Sequence, residues 1–163
     1  MKLLVAIDGS AGALAALRFA MDLAAAGLPC SFVLVNVQEP ASLYEVMTAH
    51  DAERIDAVRS AAGADLLRPA EALLEAAGHG FESEVAGGAP ENLIPELAEN
   101  YGCDLILLGA RGAGHPEAGG LGKVALAVLT TATVPVTIVR QLAQDDGNSD
   151  AGDDGGRPNE EGV

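Results

Sequence analysis

Tryptophan is absent from this 163-residue chain, and aromatic residues of any kind make up only 3% of it. Because 49% of the residues are nonetheless hydrophobic, the core has to be assembled from Ala, Val, Leu and Ile, which suits slim helices laid on a buried sheet. Positive charge is also scarce: nine Lys and Arg face 24 Asp and Glu, for a net charge of −15. That sign repels phosphodiester backbones, so nucleic acid is not an expected partner. The only cysteines, Cys30 and Cys103, lie in neither a CxxC nor a metal-ligand spacing, and are expected to be buried, reduced thiols. No apolar run approaches the roughly 20 residues a membrane span needs. The opening Met1-Lys2-Leu3-Leu4-Val5 reaches Asp8 too soon for a signal peptide. A cytoplasmic protein without a membrane partner is therefore expected. His50, His79 and His115 are scattered, with no partner in view; His115, in a loop, is expected to be exposed.

What the chain does contain is a regular alternation. Lys2 to Ile7 is a short apolar run that reads as a strand buried on both faces. Asp8-Gly9-Ser10 ends it, Ser10 is a suitable N-cap, and Leu14, Leu17, Ala20, Met21 and Leu23 recur at helical spacing until Gly27 stops the helix. Phe32–Val37 is a second strand; Pro40 then opens a connection with no clear period to about His50. An Ala-rich helix is predicted from about Glu53 to Ala77, with Gly78 as its stop. Phe81–Ala86 alternates apolar and polar residues like a half-exposed edge strand. Pro90 suits the first turn of a helix reaching about Tyr101. Asp104–Gly109 is the most apolar strand, which predicts a central place for it. A glycine-rich loop follows to Gly122, then a helix from Lys123 to about Ala132 and a last strand, Val136–Arg140. This β-α-β-α-β-α-β-α-β order predicts a parallel sheet with helices on both faces. Residues 141–163 hold seven acids against one base, Arg157, and so −6 of the charge, leaving −9 on residues 1–140. With no apolar periodicity, residues 141–163 read as an acidic disordered tail.

The loop between the apolar strand and the following helix is the chemically informative segment. Gly109, Gly112 and Gly122 form a G-x2-G-x9-G spacing. A helix N-terminus presents unpaired N–H groups and partial positive charge, and glycines let backbone approach an anion closely, so the placement suits phosphate. A glycine loop with no ligand is the competing reading. A Walker A loop is excluded, because Glu117 stands where its first glycine belongs and Val124 replaces its Ser or Thr. Asp8-Gly9-Ser10-Ala11-Gly12 lacks the G-x-G-x-x-G of a dinucleotide-binding turn.

Four motifs in order resemble the universal stress protein family: Val5-Ala6-Ile7-Asp8-Gly9-Ser10; Gly88-Ala89-Pro90-Glu91 before a helix ending in Ala98–Ile106; the glycine loop; and Val134-Pro135-Val136-Thr137-Ile138-Val139-Arg140. The resemblance covers residues 1–140 and implies one domain with a five-stranded parallel sheet of order 3-2-1-4-5, doubly wound and adenine nucleotide alpha hydrolase-like. It further implies a cleft between strands one and four. There Asp8 and Val37 would meet the adenosine part of ATP, and Gly109, Gly112, Gly122, Lys123 and Val124 the ribose and phosphates. Ala6, Leu108 and Arg111 complete the expected nucleotide-contact set. Asp8 also reads as a turn-forming carboxylate, and Arg111 as a solvated side chain. Lys123 departs from the family, whose ATP-binding members carry Ser or Thr there. It loses a hydroxyl that binds phosphate or helps place Mg2+, but adds a positive charge. The implied function is an ATP-binding sensor or regulator of the stress response. A stress protein that binds no nucleotide and acts through dimerisation and partner contacts is the alternative. No Ser–His–Asp, paired-carboxylate or metal-ligand set emerges, so catalysis is expected to amount at most to slow ATP hydrolysis.

The closing strand is apolar and β-branched, and in the implied order it lies at a sheet edge, where its ladder groups face water. Pairing with a second copy satisfies them, which predicts a homodimer through Val134–Arg140. Sedimentation at micromolar concentration should return twice the chain mass; a monomer would rule this assembly out.

Overall fold

The computed structural model describes residues 1–39, 52–113 and 120–140. The expected connection through His50, the loop position of His115 and the acidic tail lie outside them. Among the described residues nine elements alternate: β1 (Lys2–Ala6), α1 (Ala11–Ala25), β2 (Ser31–Gln38), α2 (Ala52–Ala76), β3 (Phe81–Gly87), α3 (Pro90–Asn100), β4 (Leu105–Gly109), α4 (Lys123–Thr131) and β5 (Val136–Val139). The strands form one sheet of order β3-β2-β1-β4-β5, parallel at every junction. β3 is an edge strand, as its alternation suggests. β4 lies inside the sheet, but β1 holds the middle place that the apolarity of β4 predicted for it. Both β1 and β4 are buried on two faces, so hydrophobicity cannot rank them.

Alternate side chains of each strand feed two cores. On one face Leu3, Val5, Phe32, Leu34 and Leu107 pack against Ala13, Ala16, Leu17 and Ala20 of α1 and Leu67, Ala70 and Leu74 of α2. On the other, Leu4, Val33, Val35, Ile106 and Leu108 meet Ile94, Leu97 and Ala98 of α3 and Val128 of α4. The alanines do what the shortage of aromatics requires, letting helix backbones lie close to the strands. Cys103 is buried and Cys30 only half-buried, so the expectation of two buried thiols holds for one. Burial pushes both thiols up, which keeps them protonated and unreactive near neutral pH. His79 does have a partner, contrary to expectation: its ring lies 5.2 Å from that of Phe32, tilted by 54°.

Asn36 is the one buried polar residue among the described residues. Its Nδ2 donates to the Ile7 carbonyl at 2.7 Å, and its Oδ1 accepts from Gln38 Nε2 at 2.6 Å. The bond fastens the chain just beyond β1 to β2, immediately before Asp8. Asn36→Ala should cost about 1–3 kcal/mol, the usual loss when a buried hydrogen bond is removed. Denaturant unfolding checks this, and an unchanged midpoint would show that Ile7 needs no such tie.

Candidate functional site

Strand order reverses between β1 and β4, because β1 is followed by a crossover to β2 on one side while β4 leads to β5 on the other. Loops beyond the carboxyl ends of two such strands diverge and leave a crevice. A cavity of about 500 Å³ lies there, and all ten residues singled out from the sequence line it: Ala6, Asp8, Val37, Leu108, Gly109, Arg111, Gly112, Gly122, Lys123 and Val124. Sequence reasoning missed Glu39, Pro90 and Ile94, which also line it. Helical periodicity marks Ile94 as a core position, and it does belong to the core beneath α3. Nothing in its spacing tells that the same side chain also borders the cavity.

Backbone packing sets the shape of the glycine-loop wall. A Cβ added at Gly109 would stand 2.6 Å from the carbonyl carbon of Gly12 and 2.9 Å from the Ala13 nitrogen. Those are backbone atoms of α1 that cannot turn aside, so glycine is what lets the start of α1 seat on the end of β4. A Cβ at Gly112 would come within 2.6 Å of Asp8 Oδ2. Gly122 differs: a Cβ there meets nothing nearer than 3.5 Å, which is ordinary contact, and its φ of −67° suits any residue. Packing therefore requires glycine at 109; at 112 a side chain would have to displace the Asp8 carboxylate, and at 122 it would meet no close contact.

Asp8 closes the two loops onto each other. Its Oδ1 accepts from the Ser10 N–H and its Oδ2 from the Ala113 N–H, both at 2.9 Å. The turn-forming role weighed from the sequence is thus real, and it is combined with a place in the cavity wall. Farther along, the Ala110 N–H donates to the Val139 carbonyl and the Gly122 N–H to the Ala110 carbonyl, each at 2.8 Å. These bonds pin both ends of the glycine segment. Arg111 Nε donates to the Gly120 carbonyl at 3.3 Å.

Two helix starts face the cavity without a side-chain cap: Pro90 of α3 follows Ala89, and Lys123 of α4 follows Gly122. α1, by contrast, is capped by Ser10, whose Oγ accepts from the Ala13 N–H at 3.1 Å. The first turn of α4 thus keeps orphan N–H donors and the partial positive charge of the helix beside the cavity. The Lys123 ammonium, expected to serve a phosphate, is paired with Glu91, with Nζ 2.9 Å from Oε1. The cavity lining combines the apolar side chains of Ala6, Val37, Ile94 and Leu108 with Gly109, Gly112 and Gly122 of the glycine loop and the first residues of α4.

The family described as "Universal stress protein family" matches residues 1–140. A universal stress protein of Methanocaldococcus jannaschii is 27% identical over 140 residues, 86% of this chain and 82% of its own. Among solved structures, a universal stress protein in complex with cAMP is 26% identical, with a TM-score of 0.63 over 85% of this chain and 96% of that one. A universal stress protein family protein of Arabidopsis thaliana with AMP bound shares the fold at 18% identity, with a TM-score of 0.64 over 91% and 97% of the two chains. With its four motifs, its strand order and a family match that spans residues 1–140, the chain belongs to the universal stress protein family.

Proposed function

We propose that the cleft between β1 and β4 binds an adenine nucleotide, with ATP among its ligands, and that occupied and empty forms engage different partners in a stress response. The observation that carries this reading is the union, in one cavity, of an apolar floor with a glycine loop and the uncapped start of α4. The purine would lie against Val37, Ile94 and Leu108, and the phosphates beside Gly112, Gly122 and the first N–H groups of α4. The relative solved with cAMP and the plant protein solved with AMP support an adenine ligand. A magnesium ion, where ATP brings one, would arrive on the phosphates with its own waters. Among the described residues no group of three or more His, Cys, Asp and Glu stands together to hold a metal by itself.

No catalytic residue is assigned. Asp8, just beyond β1, accepts one backbone N–H on each oxygen; the role proposed for the chain is binding, with ATP hydrolysis at most slow. Among the described residues no helix is long and apolar enough to cross a membrane.

Gly122 separates the ligand reading from that of a purely structural loop, since a Cβ there would meet only ordinary contacts. Wild type should bind ATP with a Kd below about 1 mM by calorimetry. Gly122→Val should remove that binding while leaving the melting temperature almost unchanged, as a substitution that meets no packing constraint usually does. A variant that binds as well as wild type would place the phosphates elsewhere. A wild type that binds neither ATP nor adenosine at millimolar concentration would leave the partner-only reading in its place.

A further inference from the structure

The pairing of Lys123 with Glu91 has a geometry that bears on which nucleotides enter. Glu91 lies in the first turn of α3, where the partial positive charge of the helix favours a carboxylate. Lys123 opens α4, so the ion pair joins the starts of two helices that flank the cleft. The two side chains are not equivalent. Glu91 is 22% exposed and Lys123 83%, so the carboxylate is the seated member and the ammonium the one free to swing. The hydrogen bond from Lys123 holds the Glu91 carboxyl below its usual range, and the same bond raises the ammonium. Both groups are therefore charged at any pH near neutral. An exposed pair of this kind contributes little to stability, so its main effect falls on what approaches it.

An incoming phosphate meets Lys123 already engaged. Among the described residues, the cleft wall carries two carboxylates, Asp8 and Glu39, and two cations, Arg111 and Lys123. Glu91, next to the lining residue Pro90, adds a third negative charge and tips the local balance to −1. Attraction to Lys123 and repulsion from Glu91 both scale with the charge of the ligand. Each added phosphate therefore gains less from the lysine than it would if Glu91 were absent.

We propose that Glu91 is a specificity-determining residue, an internal counter-ion to Lys123 that grades nucleotides by phosphate charge and favours nucleosides and monophosphates relative to ADP and ATP. The inference rests on the cleft being the nucleotide site, as proposed above. It depends on a lysine at position 123 and a glutamate within its reach.

Calorimetry with adenosine, AMP, ADP and ATP, on wild type, Glu91→Gln and Lys123→Ala, tests it. Glu91→Gln keeps the size of the side chain and one acceptor oxygen while removing its charge. It should leave adenosine affinity unchanged, improve AMP about threefold and improve ATP roughly tenfold, with the gains shrinking in high salt. Lys123→Ala should weaken ATP more than AMP and leave adenosine alone. Thermal melting of both variants verifies that the fold is kept. Equal changes for all four ligands, or no change for ATP in Glu91→Gln, would overturn the role of Glu91 while leaving the cleft as the site. Absence of binding of every ligand to wild type would instead overturn the nucleotide reading and this inference with it.

Discussion

The contact on which the site depends is the seating of α1 on the last residue of β4. Gly109 has no side chain, and the backbone of Gly12 and Ala13 occupies the place where one would be. That approach brings the loop after β1 against the loop after β4, and Asp8 then spans them by accepting from Ser10 on its own side and Ala113 on the other. The crevice that strand order opens is thereby narrowed into a cavity with a defined wall. A branched residue at 109 would push the helix away and separate the two loops at their roots.

The rest of the fold serves this arrangement. Among the described residues, helices cover both faces of a thin sheet, and on the face of α1 and α2 the contact is made largely through Ala13, Ala16, Ala20 and Ala70, in a chain with almost no aromatic residues. Ile94 and Leu108 belong to the core beneath α3 and α4 and also to the cavity wall. The apolar floor of the cleft is thus the upper end of the core itself and is held as rigidly as the core is packed. The polar part is built differently, from main-chain N–H groups and pinned loop ends. The anion recognition proposed for it would depend on backbone position more than on side chains.

Much of this was legible in the sequence, for physical reasons that can be named. Continuous apolar runs such as Lys2–Ala6 and Leu105–Gly109 mark strands covered on both faces, and Gly27 and Gly78 mark helix ends, where they adopt φ values of 101° and 73°. Strand order is not written in periodicity; it followed from the resemblance to a family, and hydrophobicity alone pointed to β4 rather than β1 as the middle. Contacts between distant segments were hidden as well. Neither the Asp8–Ala113 bond nor the Glu91–Lys123 pair has a local signature, because each joins loops or helix starts that only the folded sheet brings together. Lys123 therefore read as a cation waiting for phosphate, when it is already half of an ion pair. His79, which had no partner along the chain, found one in Phe32 across the fold.

As proposed, the glycine loop and the uncapped start of α4 hold the anionic part of an adenine nucleotide. Backbone amide chemical shifts, followed by NMR as AMP is added, test it most directly because the proposed contacts are main-chain N–H groups. The largest shifts should fall on Gly112, Ala113, Lys123, Val124 and Ala125, with smaller ones at Val37 and Ile94 on the ring side. Shifts confined to another face of the sheet, or none at saturating AMP, would contradict it.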